Sequence, residues 1–143
     1  MRRRRNGAGV QSQEQHQDID ALFAPTAEVR AAIAVIAERE NLPADWINDG
    51  TKGFINPPMP QLDVHEFSHL RIVRPTDDYL LAMKCCAARV GIGQHDKEDA
   101  MFLLRKLKLT TAKEVEGTVA RYYPPERIEP KSRYFIQEII DEL

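Results

Sequence analysis

Leu62-Asp63-Val64-His65-Glu66-Phe67-Ser68-His69-Leu70-Arg71-Ile72-Val73-Arg74-Pro75 runs directly into Thr76-Asp77-Asp78-Tyr79-Leu80-Leu81-Ala82-Met83-Lys84-Cys85-Cys86-Ala87-Ala88-Arg89, and the period changes between the two. In the first stretch Leu62, Val64 and Phe67, then Leu70, Ile72 and Val73, give two short strand-like runs. Ser68 and His69 lie between them, which suits a hairpin. The second stretch opens after Pro75 with Thr76-Asp77-Asp78, a helix start with acidic residues where the helix dipole favours them. From Tyr79 to Arg89 the helix is apolar nearly all round except for Lys84 and Arg89, so it is expected to be buried. Gly91-Ile92-Gly93 is expected to break it.

Towards the C-terminus three more helices are expected. The first covers about residues 97–107. The second starts at the capping box Thr111-Ala112-Lys113-Glu114 and ends before Pro124-Pro125, and the last runs from about Lys131 to the end. Towards the N-terminus, Pro57, Pro58 and Pro60 demand a loop. Residues 42–50 read as a turn and a short helix stopped by Gly50. Thr26 reads as the N-cap of a helix whose apolar face is Val29, Ala32, Ile33 and Ile36 and which ends near Asn41. Ile19, Leu22 and Phe23 read as a short strand ending at Pro25. Strands come early and helices late, an α+β pattern in which a small mixed β-sheet is covered by a C-terminal helical bundle. Residues 1–15 are expected to be a basic, polar, disordered tail, with so few apolar side chains in the first 17 that little surface can be buried. Residues 16–143 then form one domain, with 16–75 its sheet part and 76–143 its helical part.

A chain of 143 residues has room for one domain and its core. With 43% hydrophobic and 29% charged residues it has a globular composition, and no apolar run approaches the ~20 residues that span a bilayer. No membrane association is expected. No apolar segment comes after the arginines at 2–5, so no secretory signal is read, and a cytoplasmic location is expected. Cys85 and Cys86 are adjacent, which suits buried reduced thiols and not a structural disulfide. Setting aside the four arginines leaves 16 basic against 22 acidic residues, a body near −6. An acidic body with one basic arm argues against a general nucleic-acid binder.

Few residues suggest chemistry. Asp18-Ile19-Asp20 puts two carboxylates on one face of a strand, a hard-oxygen pair of the type Mg²⁺ takes. Taken alone, the pair reads as a solvated strand end. Lys84 interrupts an apolar helix, either to contact phosphate or carboxylates or to extend its ammonium out of the bundle. Asp96 and Asp99 share a face at a helix start and read by themselves as capping carboxylates. His65, Glu66 and His69 sit at the hairpin tip and read as exposed surface. No Walker, Gly-x-Gly-x-x-Gly or Gly-x-Ser-x-Gly pattern occurs.

In order and spacing these segments resemble bacterial nucleotidyltransferase-like proteins related to the AbiEii abortive-infection toxins. The segments are Asp18-Ile19-Asp20-Ala21-Leu22-Phe23, Leu42-Pro43-Ala44-Asp45-Trp46-Ile47-Asn48-Asp49 with Lys52-Gly53-Phe54, and Leu80-Leu81-Ala82-Met83-Lys84 with Ala87-Ala88-Arg89. Asp96-Lys97-Glu98-Asp99-Ala100 leading into Phe102-Leu103-Leu104, and Tyr122-Tyr123-Pro124-Pro125-Glu126-Arg127-Ile128, complete the set. The resemblance covers about residues 16–143.

It implies a nucleotidyltransferase-type sheet and transfer of a nucleoside monophosphate from an NTP to an acceptor, as the toxin of a toxin–antitoxin or phage-defence pair. The implied catalytic residues are Asp18, Asp20 and Lys84. Mg²⁺ or Mn²⁺ would be held by Asp18, Asp20 and a third carboxylate, Asp63, with Glu66 in reserve. Gly7, Lys84, Asp96 and Asp99 would bind the nucleotide, and the implied partners are an antitoxin protein or an RNA acceptor. Such proteins have an apolar first strand ending in Gly-Ser or Gly-Gly before the Asp-x-Asp pair. Here residues 1–6 cannot form that strand, and Gly7-Ala8 stands in the turn position. The first strand is therefore expected to be missing by N-terminal truncation, and the alternative is a non-catalytic remnant acting as a protein-interaction module.

Overall fold

Five helices and four short strands make up residues 19–88 and 94–143, the part of the chain that the computed structural model describes. Contacts divide the chain into two units, Met1–Gly53 and Phe54–Leu143. The strands form two separate two-stranded sheets, one within each unit, where the sequence suggested a single mixed sheet.

In the first unit β1 (Ile19–Asp20) and β2 (Ile47–Asn48) pair in parallel, with α1 (Thr26–Glu40) as the connection. Parallel neighbours need a long crossover, and a helix of this length supplies it. The Ile19 and Ala21 amides donate to the Trp46 and Asn48 carbonyls at 2.7 and 2.8 Å. Ile47 and Asn48 are thus drawn into a strand, not the short helix expected there, and Gly50 begins a 3₁₀ turn (Gly50–Phe54) instead of ending a helix. Leu22 and Phe23 lie beyond β1. Thr26 is the first helical residue and Pro25 takes the cap position, since Pro25 already holds extended dihedrals. Ile33 and Ala37 form the buried line of α1, flanked by half-buried Val29 and Ile36, while Ala32 is exposed. Asn41 closes the helix in the left-handed region, φ 53°, a conformation asparagine tolerates. The Trp46 indole N–H donates to the Ile33 carbonyl at 3.2 Å and ties β2 to α1.

In the second unit β3 (Gln61–Glu66) and β4 (Arg71–Pro75) form the expected hairpin, closed by Phe67 N–H to Leu70 C=O at 2.8 Å. A register shift between Asp63 and His65 marks a bulge at Val64. Cross-strand partners share a face. The register therefore puts Leu62, His65, Ile72 and Arg74 on one side, all exposed, and Asp63, Glu66, Arg71 and Val73 on the other.

Helix α2 (Asp77–Ala87) is the centre of the helical core and touches α3 (Gln94–Leu107), α4 (Ala112–Tyr122) and α5 (Pro130–Asp141). Its side chains Tyr79, Leu81, Ala82 and Cys85 are fully buried, as its all-round apolar pattern requires. Leu104, Val115, Val119, Ile136 and Ile139 meet them from the other helices. Each such aliphatic side chain contributes about 1.5–3 kcal/mol by leaving water. Cys85 and Cys86 are buried free thiols that act as small hydrophobes. Burial pushes the Cys86 thiol up to about 11 and the Cys85 thiol further. The capping box forms in full: Glu114 N–H donates to the Thr111 hydroxyl, and the Glu114 carboxylate accepts from the Thr111 amide. Among the described residues no helix is long and apolar enough to cross a membrane.

Candidate functional site

Position 20 ends β1, and its carboxylate is exposed with no partner among the described residues. The strand itself is held on both sides of Asp20 by the amides of Ile19 and Ala21. Asp18 and Gly7, the companions inferred from sequence, lie outside the described residues, as do the proposed helix break at 91–93 and the N-terminal tail.

In the second unit the structure brings together Lys84, Asp96 and Asp99. The Lys84 ammonium, at the last turn of α2, donates to Asp99 at 3.0 Å and to Asp96 at 3.4 Å, both in the early turns of α3. Asp96 and Asp99 stand three apart on one helix face, so a single cation bridges both. Lys84 is mostly covered, at 22% side-chain exposure, while the carboxylates stay in contact with water. One N–H donor of the three on an ammonium remains for a further acceptor. The two readings left open by the sequence are thereby narrowed: Lys84 does not extend alone into solvent but partners carboxylates.

Asp63 sits on the polar side of the hairpin and is ion-paired with Arg71, which also faces Glu66 across the ladder. Its carboxylate is engaged, and this weakens it as a third metal ligand. His65, Glu66 and His69 are exposed as expected. Among the described residues no group of three or more His, Cys, Asp or Glu side chains is placed to hold a metal ion.

A second constellation was not singled out from sequence. Asp77 and Asp78 look like ordinary first-turn carboxylates, yet each is half-buried beneath its partners. Lys106 at 2.8 Å and Arg74 at 3.0 Å hold the Asp77 carboxyl below its ordinary range. For Asp78 burial pushes the other way, but the nearby Thr76 hydroxyl, hydrogen bonds from Tyr122 and the Tyr79 amide, and the Arg121 guanidinium outweigh it and keep the carboxyl low. Burial and the Asp78 carboxylate together raise the Tyr122 hydroxyl. Tyr79 packs edge-on to Tyr122, ring centroids 5.1 Å apart, and lies 6.2 Å from Tyr123.

These tyrosines clamp the proline loop. The Asn56 amide donates to the Tyr79 hydroxyl at 3.0 Å, and that hydroxyl donates to the Asn56 carbonyl at 3.1 Å. The Asn56 side chain donates to the Tyr122 carbonyl at 2.6 Å and accepts from Arg127 at 3.1 Å, while the Tyr123 hydroxyl donates to the Phe54 carbonyl. Arg127 also lies over the Tyr123 ring at 5.5 Å. The Tyr-Tyr-Pro-Pro-Glu-Arg run is thus the fastening between the end of α4 and residues 54–56. The sequence signal for it was two tyrosines at a helix end, directly before paired prolines.

The chain matches no family model, no curated protein and no solved structure.

Proposed function

We propose that the chain is a nucleotidyltransferase-like domain of the AbiEii-related kind, which binds a metal–NTP complex through the Asp18-Ile19-Asp20 segment. The reading rests on one observation: Asp20 carries an exposed carboxylate with no partner among the described residues, on a strand whose backbone is fixed on either side of it. A carboxylate so placed fits a hard divalent cation, which takes oxygen ligands and keeps room for water and phosphate. Mg²⁺ or Mn²⁺ would be held by Asp18 and Asp20; Asp63, paired with Arg71, fits less well. The metal would supply positive charge to screen the triphosphate. Asp20 would fix its position on the strand. In the transfer, the acceptor hydroxyl oxygen would bond to the α-phosphorus as the α–β phosphoanhydride bond breaks, the hydroxyl proton would pass to solvent, and pyrophosphate would leave. The same reading makes the chain the toxin of a pair, with an antitoxin protein or an RNA as partner.

Calorimetry of the purified chain with Mg²⁺-ATP and Mg²⁺-GTP tests this, with Asp20→Asn alongside. Metal-dependent binding in the wild type, weakened at least about tenfold in the variant, is the expected result, and tenfold corresponds to about 1.4 kcal/mol. A folded wild-type chain that binds neither nucleotide would refute the proposal.

A further inference from the structure

Lys113, Glu116, Gly117 and Ala120 lie on one face of α4, and that face opens into a cleft of about 400 Å³. The turn at Pro125 and Ile128 forms one wall, and Arg133 and Ile136 of α5 form the other. The volume falls in the range of small-molecule clefts, about 300–1,000 Å³. Its base is apolar: Val119 and Ile136 are fully buried beneath it, and Ile128 is half-buried at its side.

Two features argue that the cleft is open for a reason. Gly117 occupies the middle of a helix, where glycine costs stability relative to alanine. A Cβ built at Gly117 meets nothing within 4 Å, so packing does not demand the glycine, and any side chain there would enter the open space. The rim is also unbalanced in charge. Arg133 reaches Glu116 only at 3.8 Å with most of its side chain exposed, and Lys113 is exposed with no partner among the described residues. Two cations therefore face one carboxylate around an apolar floor.

We propose that this cleft is a binding site for a small anionic amphiphile, a compact ring or short chain bearing one carboxylate or sulfonate. The apolar part would lie over Gly117 and Ala120, against Ile128. The head would reach the Lys113 ammonium and the outer guanidinium donors of Arg133, away from Glu116. This site is independent of the nucleotidyltransferase reading, since it uses none of the residues assigned there.

Fluorescence titration of the full chain tests it with two probes, 8-anilinonaphthalene-1-sulfonate and its uncharged counterpart N-phenyl-1-naphthylamine. The sulfonate is expected to bind at one site. Gly117→Leu, whose Cβ would meet nothing within 4 Å and whose side chain would extend into the cleft, is expected to weaken both probes at least about tenfold while circular dichroism shows the helices intact. Lys113→Ala with Arg133→Ala is expected to weaken the sulfonate about tenfold and leave the neutral probe unchanged. Ile72→Ser, at an exposed position of the hairpin, is expected to change neither. Absence of sulfonate binding by the wild type, unchanged binding in Gly117→Leu or in the double alanine variant, or loss of binding in Ile72→Ser would each overturn the assignment.

Discussion

Replacing Tyr79 by Phe removes one oxygen from a fully buried ring and nothing else. That oxygen both accepts from the Asn56 amide and donates to the Asn56 carbonyl, at 3.0 and 3.1 Å. Two hydrogen bonds at about 1 ± 0.5 kcal/mol each give about 1–3 kcal/mol. Two backbone groups of Asn56 are then left without their partner, which pulls the cost towards the upper end of that range. Asn56 is only half-buried, so water recovers part of it. The expected destabilisation is about 1.5–3 kcal/mol, a drop of about 4–10 °C in Tm for a chain of this size. The ring keeps its contacts with Tyr122 and Tyr123, so no cavity contributes. Urea unfolding followed by circular dichroism gives the free energy, and amide hydrogen exchange reads Asn56 directly. Exchange at Asn56 should speed up while the amides of α2 hold their order of protection. A variant as stable as the wild type, with Asn56 equally protected, would show that the Tyr79 hydroxyl does not fasten the loop.

Three further outcomes are expected. Ile136→Ala, at a fully buried core position, should cost about 2–5 kcal/mol in urea unfolding, and a loss under about 1 kcal/mol would mean that α5 does not belong to the core. Thr111→Ala removes the hydroxyl that accepts from the Glu114 amide and should cost about 0.5–2 kcal/mol, with fraying confined to the first turn of α4 by hydrogen exchange. Asp78→Asn should destabilise at neutral pH by about 1–3 kcal/mol by leaving Tyr122 and Arg121 without a charged partner. Because the folded state holds the Asp78 carboxyl below its ordinary 3.8, the unfolded chain takes up that proton first. The carboxylate's contribution is therefore complete above the ordinary value and fades as pH falls through the lower folded one. The gap between variant and wild type should narrow in acid, and a gap as wide at about pH 2.5 as at pH 7 would contradict the assignment.

Local chemistry settled much of the helical half. An apolar run without a polar face has to be buried, and α2 is. Thr111 and Glu114 cap one another at the three-residue spacing of a capping box, which is local in the chain. Ser68 and His69 between two alternating runs gave the hairpin, since the turn and both strands are contiguous. The bulge at Val64 was not legible, because it depends on how two strands register and not on either alone.

The sequence also marked Lys84, Asp96 and Asp99 as residues of interest, but their spacing of 12 and 15 positions hides that one ammonium holds both carboxylates. The strand at Ile47–Asn48 was hidden for the same reason: its hydrogen bonds go to residues 19–21, and locally it looks like a turn before glycine. Asp78, Asn56 and Tyr122 looked ordinary one by one, since a hydrogen-bond network between positions 54–56, 78–79 and 122–127 exists only after α4 packs on α2. Periodicity, caps and turns act over a few residues and are written in the chain. Registers, ion pairs between helices and the fastening of loops depend on contacts far apart in sequence, and only the tertiary structure decides them.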